Sequence, residues 1–174
     1  MEVIKGRVFL LNDNVDTDQI LPGYAMSYPT EELKKVTLKG SIIPDFSEKV
    51  KQGDIVIAGD NFGCGSSREQ APVALKSSGV GAVIAKSFAR IFRKNSINIG
   101  LPVITCDCIN DIINESLDND EFEIDVENGF ITNLSSHKKY ELNKLSQTTF
   151  ETLEAGGLVN KVRKKLYERG KING

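Results

Sequence analysis

The run Asp54-Ile55-Val56-Ile57-Ala58-Gly59-Asp60-Asn61-Phe62-Gly63-Cys64-Gly65-Ser66-Ser67-Arg68-Glu69-Gln70 decides the fold. Asp54 to Ala58 is short, apolar and β-branched, the pattern of a buried strand, while Glu69 to Ser78 carries apolar residues at helical spacing. A glycine-rich loop therefore sits where a strand hands over to a helix. Backbone N–H groups at such a junction lack intrachain partners, and the helix dipole favours negative charge there. Arg68 adds a planar cationic fork suited to carboxylate or phosphate. The stretch reads as an anion site shaped by Gly63 and Gly65, with Ser66 inside it as a potential nucleophile or base.

Spacing excludes three other glycine-serine loops. A dinucleotide fingerprint needs a third glycine where Gly63-Cys64-Gly65-Ser66-Ser67-Arg68 ends in arginine, so a Rossmann site does not fit. A P-loop needs Gly-Lys followed by Ser or Thr, and a hydrolase elbow needs Gly-x-Ser-x-Gly; neither occurs around Ser66. The chain has one histidine, His137, in a polar segment, so a Ser-His-Asp triad is hard to build. If Ser66 does chemistry, something other than histidine must activate it. A purely structural alternative is a capping box, with Ser66 as N-cap and Glu69 three residues on. Pro72 complicates it, because a proline there denies the Arg68 carbonyl its helical partner, so the regular helix starts nearer Gln70.

Outward from this stretch, strands and helices alternate. Val3 to Leu11 reads as extended, Gln70 to Ser78 as helical, Gly81 to Ala85 as extended and Phe88 to Asn98 as helical, with Phe88, Ile91 and Phe92 in the core. Pro102 to Cys106 is extended and Ile109 to Leu117 helical. Phe122 to Val126, Phe130 to Thr132 and Lys139 to Leu142 form an antiparallel extension past the turn Asp118-Asn119-Asp120, and helices follow from about Thr148 and Leu158. The order implies an α/β layer structure with buried strands. One domain, residues 1–174 with a terminal helix at about 158–168, suits a chain of 174 residues with 40% apolar content.

Charge and composition narrow the function classes. Formal net charge is −2, and the basic run from Lys161 to Lys171 reads as the polar face of an amphipathic helix, so nucleic acid is not an expected partner. No apolar run approaches 18 residues and Met1-Glu2-Val3-Ile4-Lys5 lacks a signal-peptide core, which leads to the expectation of a cytoplasmic protein without a membrane span. Cys64, Cys106 and Cys108 form no Cys-x-x-Cys arrangement, so no metal site is expected in this chain alone. Asn12-Asp13-Asn14-Val15-Asp16-Thr17-Asp18 invites a calcium reading, but Gln19 stands where the turn glycine should be and Ala25 where the bidentate glutamate should be. A solvated turn is the plain alternative.

Gly-x-Gly-Ser-Ser-Arg-Glu, Asp16-Thr17-Asp18 and Lys86-Ser87-Phe88-Ala89-Arg90-Ile91-Phe92 together resemble the swivel domain of the aconitase superfamily, most closely the small subunits of 3-isopropylmalate dehydratases. The similarity runs from about Gly6 to Lys165, including Leu153-Glu154-Ala155-Gly156-Gly157-Leu158-Val159. It implies an α/β fold of the three-layer β/β/α swivelling type. It also implies half of a hydro-lyase, active only with a large subunit that holds a [4Fe-4S] cluster through its own cysteines, in a heterodimer or heterotetramer. The implied reaction is a reversible dehydration and rehydration of a 2-hydroxy or 3-hydroxy dicarboxylate, with Ser66 removing the proton next to a carboxylate and the cluster taking the hydroxyl. Ser67 and Arg68 would bind a carboxylate; Asp18 would orient site groups, with Thr17 a further candidate. A serine alkoxide needs strong support from loop N–H groups and Arg68.

By the same resemblance, Pro22-Gly23-Tyr24-Ala25-Met26-Ser27-Tyr28 corresponds to the loop that reads the variable arm of the substrate, which brings in Tyr24 and Met26. Relatives that handle an extra carboxylate carry arginine there. This chain has none between Ile20 and Glu31, and Met26 suits a branched alkyl group. The expected activity is isomerisation of 2- and 3-isopropylmalate in leucine biosynthesis. The alternatives are a dimethylmalate, methylmalate or homoaconitate enzyme, a loop that only packs on its own domain, or a non-catalytic anion-binding module. Arg90 and Arg93 read as solvent-facing or interface residues and His137 as a surface residue; the resemblance alone implies that Asn95 helps position a site loop.

Overall fold

A computed structural model of the chain describes residues 1–170; Lys171, the last residue of the basic run, lies outside the described residues. In chain order the elements are β1 (Ile4–Leu10), α1 (Thr17–Ile20), a 3-10 turn (Gly23–Ser27), α2 (Thr30–Leu33), α3 (Phe46–Lys49), β2 (Ile55–Ile57), α4 (Gln70–Ser77) and β3 (Ala82–Ala85). They continue with α5 (Arg90–Asn98), β4 (Val103–Thr105), α6 (Ile109–Glu115), β5 (Glu121–Asp125), β6 (Phe130–Asn133), β7 (Lys138–Glu141), α7 (Gln147–Glu154) and α8 (Leu158–Glu168).

One seven-stranded sheet has the order β4-β3-β2-β1-β5-β6-β7. β1 to β4 are parallel, in register Val8↔Ile55, Ile55↔Ala82 and Val83↔Val103. β5 to β7 run antiparallel from the other edge of β1, with Ile4↔Ile124 and Ile131↔Tyr140. The sequence explains this division. β2 and β3 are buried at every position, as strands covered on both faces must be, whereas β5 alternates exposed and buried residues.

The two faces of the parallel half separate two cores. Phe9, Val56, Ala58, Val83 and Val103 pack on one side with Ala71 and Leu75 of α4, Phe92 and Ile97 of α5, and Leu153 of α7. Val8, Ile55, Ile57, Ala82 and Ile84 pack on the other with Phe122, Ile124 and Ile131 of the curled antiparallel strands and Ile109 and Ile112 of α6. Helices, parallel strands and folded-over antiparallel strands thus form the expected β/β/α layers. Each face removes its apolar side chains from water, at about 25 cal/mol per Å².

Several expected elements shift. α5 starts at Arg90 instead of Phe88, because Phe88 pairs with Phe62 in an isolated parallel bridge and the Ala89 N–H donates to the Phe62 carbonyl. The helix after the glycine loop begins at Gln70, in keeping with Pro72, and the Ser66 capping box does not form: Glu69 is the N-cap residue, without a side-chain cap bond. The Arg68 carbonyl accepts from Ala71 N–H instead. Pro72 is then in the first turn, where its missing donor costs nothing.

Candidate active site

The glycine loop is fixed by the segment ahead of α1. Gly63 N–H donates to the Val15 carbonyl at 2.7 Å and Thr17 N–H to the Cys64 carbonyl at 2.9 Å, joining two loops far apart in sequence. Asp16 caps α1 through its carboxylate, which accepts from Gln19 N–H at 2.8 Å. The Asp16-Thr17-Asp18 cluster is therefore a helix start docked on the anion loop, and not the free solvated turn its polarity also allowed. Gly63 has φ +82, and a Cβ there would meet Phe92 Cγ at 2.2 Å, so only glycine lets α5 lie this close. Gly65 has φ +94. Among the described residues, no acceptor engages the N–H groups of Gly65, Ser66 and Ser67. Arg68 N–H turns back to the Ser66 carbonyl.

Ser66 and Ser67 are exposed, and Ser66 Oγ lies 3.1 Å from Thr17 Oγ1. Thr17 itself is only 2% exposed. The Arg68 guanidinium is 19% exposed: Nη1 donates to the Leu21 carbonyl at 2.9 Å and pairs with the Asp18 carboxylate, which is 68% exposed. Asp18 and Leu21 thus hold one nitrogen of the fork, while the rest of the guanidinium remains available to a ligand.

These groups open on a cleft of about 480 Å³ lined on one wall by Thr17, Gly63, Gly65, Ser66, Ser67 and Arg68, and on the other by Ala89 to Phe92, Lys94 and Asn95 of the α5 region. Three cations, Arg68, Arg90 and Lys94, face it, and among the described residues no carboxylate lines it. Such a cleft concentrates anions. The sequence pattern predicts Arg90 at solvent or an interface and Ile91 in the core. Ile91 is instead 52% exposed and lines the cleft, whereas Phe92 is buried under Gly63. The spacing of Arg90 and Lys94, one helical turn apart beside Ile91, was the available signal.

Tyr24 and Met26 do not line this cleft. Tyr24 is 60% exposed, one residue past Gly23, whose ideal Cβ position is 3.6 Å from Arg68 Nη2. Met26 is half-buried against the cluster of Leu21, Ala25, Leu33, Val36 and Ala74. The cysteines also separate. Cys64 stays in the glycine loop, half-buried, while Cys106 and Cys108 sit at the end of β4 with their sulfurs 3.0 Å apart. Burial, followed by the hydrogen bond with Cys108, pushes the Cys106 thiol up to about 12. The described residues contain no group of three or more His, Cys, Asp or Glu side chains arranged to hold a metal ion, so the donor set does not fit an iron-sulfur cluster.

The family described as "Aconitase C-terminal domain" matches residues 14–107, the span holding both site loops and the α5 wall. The chain belongs to this aconitase family. Among its aconitase-family relatives, the isopropylmalate/citramalate isomerase small subunit of Methanocaldococcus jannaschii is 49% identical over 95% of this chain and 97% of its own length. The 3-isopropylmalate dehydratase small subunit of Aquifex aeolicus is 47% identical, with 95% and 97% covered. The crystal structure of a 3-isopropylmalate dehydratase from Methanocaldococcus jannaschii superimposes with a TM-score of 0.89 at 43% identity, covering 98% of this chain and 99% of the other. Also similar is a methanogen homoaconitase small subunit from Methanothermobacter thermautotrophicus, 50% identical over 91% of this chain and 89% of its length. No helix among the described residues is long and apolar enough to cross a membrane.

Proposed function

We propose that this chain is the small subunit of a 3-isopropylmalate dehydratase, a hydro-lyase that interconverts 2-isopropylmalate and 3-isopropylmalate through isopropylmaleate in leucine biosynthesis. The observation that carries the reading is the cleft itself: Ser66, beside unpaired loop N–H groups, faces a cavity with three cations and no carboxylate. The names of the relatives supply the substrate class. The chain acts as a single swivel domain, residues 1–174, in the cytoplasm, and is inactive without a large subunit.

Ser67 and Arg68 bind one carboxylate of the substrate, the arginine offering the part of its fork that Asp18 and Leu21 leave free. Ser66 Oγ, as the alkoxide, takes the proton from the carbon next to that carboxylate and becomes the hydroxyl; the C–H electron pair forms the double bond and the C–O pair departs with the leaving hydroxyl. A [4Fe-4S] cluster held by the large subunit would supply Lewis acidity for that departure. The free N–H groups of the glycine loop stabilise charge on Ser66 without reorganising. Tyr24 is exposed and Met26 half-buried on the turn after α1, outside the cleft; a substrate arm reaching that turn would meet in Met26 a contact that favours an alkyl group.

Ser66→Ala in the assembled enzyme should abolish turnover while leaving subunit association and the cluster's absorbance intact; near-normal turnover would remove Ser66 from the chemistry. A homoaconitase is the second reading, favoured by the 50% identical relative. It differs in requiring a third carboxylate subsite, which the segment from Ile20 to Glu31 does not furnish with an arginine.

A further inference from the structure

The hydroxyl of Thr17 is buried and has one partner. Thr17 is the first residue of α1, and its N–H is tied to the Cys64 carbonyl. The other buried threonines satisfy their hydroxyls on backbone carbonyls: Thr37 Oγ1 on those of Leu33 and Ala74, and Thr152 Oγ1 on that of Thr148. Thr17 has no helical turn beneath it to offer such a carbonyl. Among the described residues its Oγ1 meets only Ser66 Oγ, at 3.1 Å. A buried hydroxyl without a partner is costly, so this contact orients both groups.

We infer that Thr17 is a positioning residue whose hydroxyl donates to Ser66 Oγ, fixing the rotamer of the serine and stabilising the oxyanion form in which it takes the substrate proton. This rests on the proposed dehydratase role of Ser66. Thr17 acts through Ser66: it lines the cleft, but its hydroxyl is committed to Ser66 Oγ, and with Thr17 as donor the proton of Ser66 points elsewhere. A neutral Ser66 receives an ordinary hydrogen bond from Thr17. An ionised Ser66 receives a charge-assisted one, about twice as strong, so the contact favours the reactive form over the resting form.

The test compares Thr17→Val, Thr17→Ala and Thr17→Ser in this chain assembled with its cluster-bearing large subunit, following hydration of isopropylmaleate, homoaconitate and dimethylmaleate. Thermal unfolding and subunit association serve as parallel readouts for folding. Thr17→Val keeps the shape and removes the donor. It should lower kcat roughly 10- to 100-fold, the loss expected for one hydrogen bond to a charged group, with KM within about threefold. Thr17→Ala should show the same split, and Thr17→Ser, which keeps the hydroxyl, should stay within about threefold of the wild type. Unchanged kcat in a folded Thr17→Val enzyme overturns the inference. So does a loss carried by KM, which would make Thr17 a substrate contact, or a Thr17→Ser variant as impaired as Thr17→Val, which would make its methyl group the important part. In each of those outcomes the wild-type complex is active and the dehydratase reading stands. A wild-type complex inactive on all three substrates would instead overturn that reading, and the role of Thr17 with it.

Discussion

Replacing Gly63 by alanine tests whether the glycine loop is held in its active shape by α5. At Gly63 two costs add: φ is +82, and the new Cβ would fall 2.2 Å from Cγ and 2.5 Å from Cβ of Phe92, a buried residue anchored by Phe62 and Phe88. The left-handed backbone costs an L-residue about 1–2 kcal/mol. Overpacking against a fixed ring costs about 1–3 kcal/mol more. Gly65 is the internal control, since its φ is +94 but its nearest contact would be Thr17 Oγ1 at 3.4 Å. Gly63→Ala should therefore destabilise by about 2–5 kcal/mol and Gly65→Ala by about 1–2 kcal/mol, before a gain of up to ~1 kcal/mol common to both from stiffening the unfolded chain. For a chain of this size each kcal/mol lowers Tm by about 2–4 °C. Thermal and urea unfolding of both variants provide the assay. Equal destabilisation by the two would refute the claim that Phe92 abuts the loop, and a stable Gly63→Ala would refute the left-handed geometry as well.

Arg68→Lys should raise KM for the dicarboxylate about tenfold with a smaller effect on kcat, because an ammonium cannot hold Asp18, Leu21 and a substrate carboxylate as the fork can; steady-state kinetics of the assembled enzyme decide it. Arg90→Ala should weaken substrate capture a few-fold at low ionic strength and much less at high salt, since Arg90 is exposed on the cleft wall; a KM independent of both the substitution and the salt would remove it from the site. Native Cys106 should resist a thiol reagent at pH 8 under conditions where Cys64 and Cys108 react, read by peptide mass spectrometry; labelling of Cys106 at their rate would contradict its burial. Because burial raises the Cys106 thiol from 9.0 to about 12, its contribution to stability is complete below about pH 9 and is lost as pH rises through about 12.

The parallel half of the fold was legible because its strands are fully buried and its longer helices carry periodic apolar faces; β2, β3, α4 and the antiparallel extension all lie within a residue or two of their expected bounds. The stretch from Thr17 to Lys49 was not. Its helices α1, α2 and α3 are four residues long, too short for a 3.6-residue period to show, and are fixed by packing of Leu21, Leu33, Val36 and Phe46. In the site, Ser66, Ser67, Arg68 and the glycines were legible from their local pattern. The role of Thr17 is not legible in the sequence, because its contact with Ser66 spans 49 positions and depends on how α1 docks. Ile91 was misplaced because an apolar residue on an amphipathic helix does not reveal whether it faces a core or the mouth of a cleft.

The central claim is that this chain completes a dehydratase for an alkyl-substituted malate. Its most direct test is anaerobic hydration of isopropylmaleate and homoaconitate by the chain assembled with its cognate cluster-bearing large subunit, with each subunit alone as control. The expected result is activity only in the mixture and strongly favouring isopropylmaleate. Preference for homoaconitate would contradict the alkyl-arm reading of Met26, and no hydration of either would contradict the dehydratase assignment.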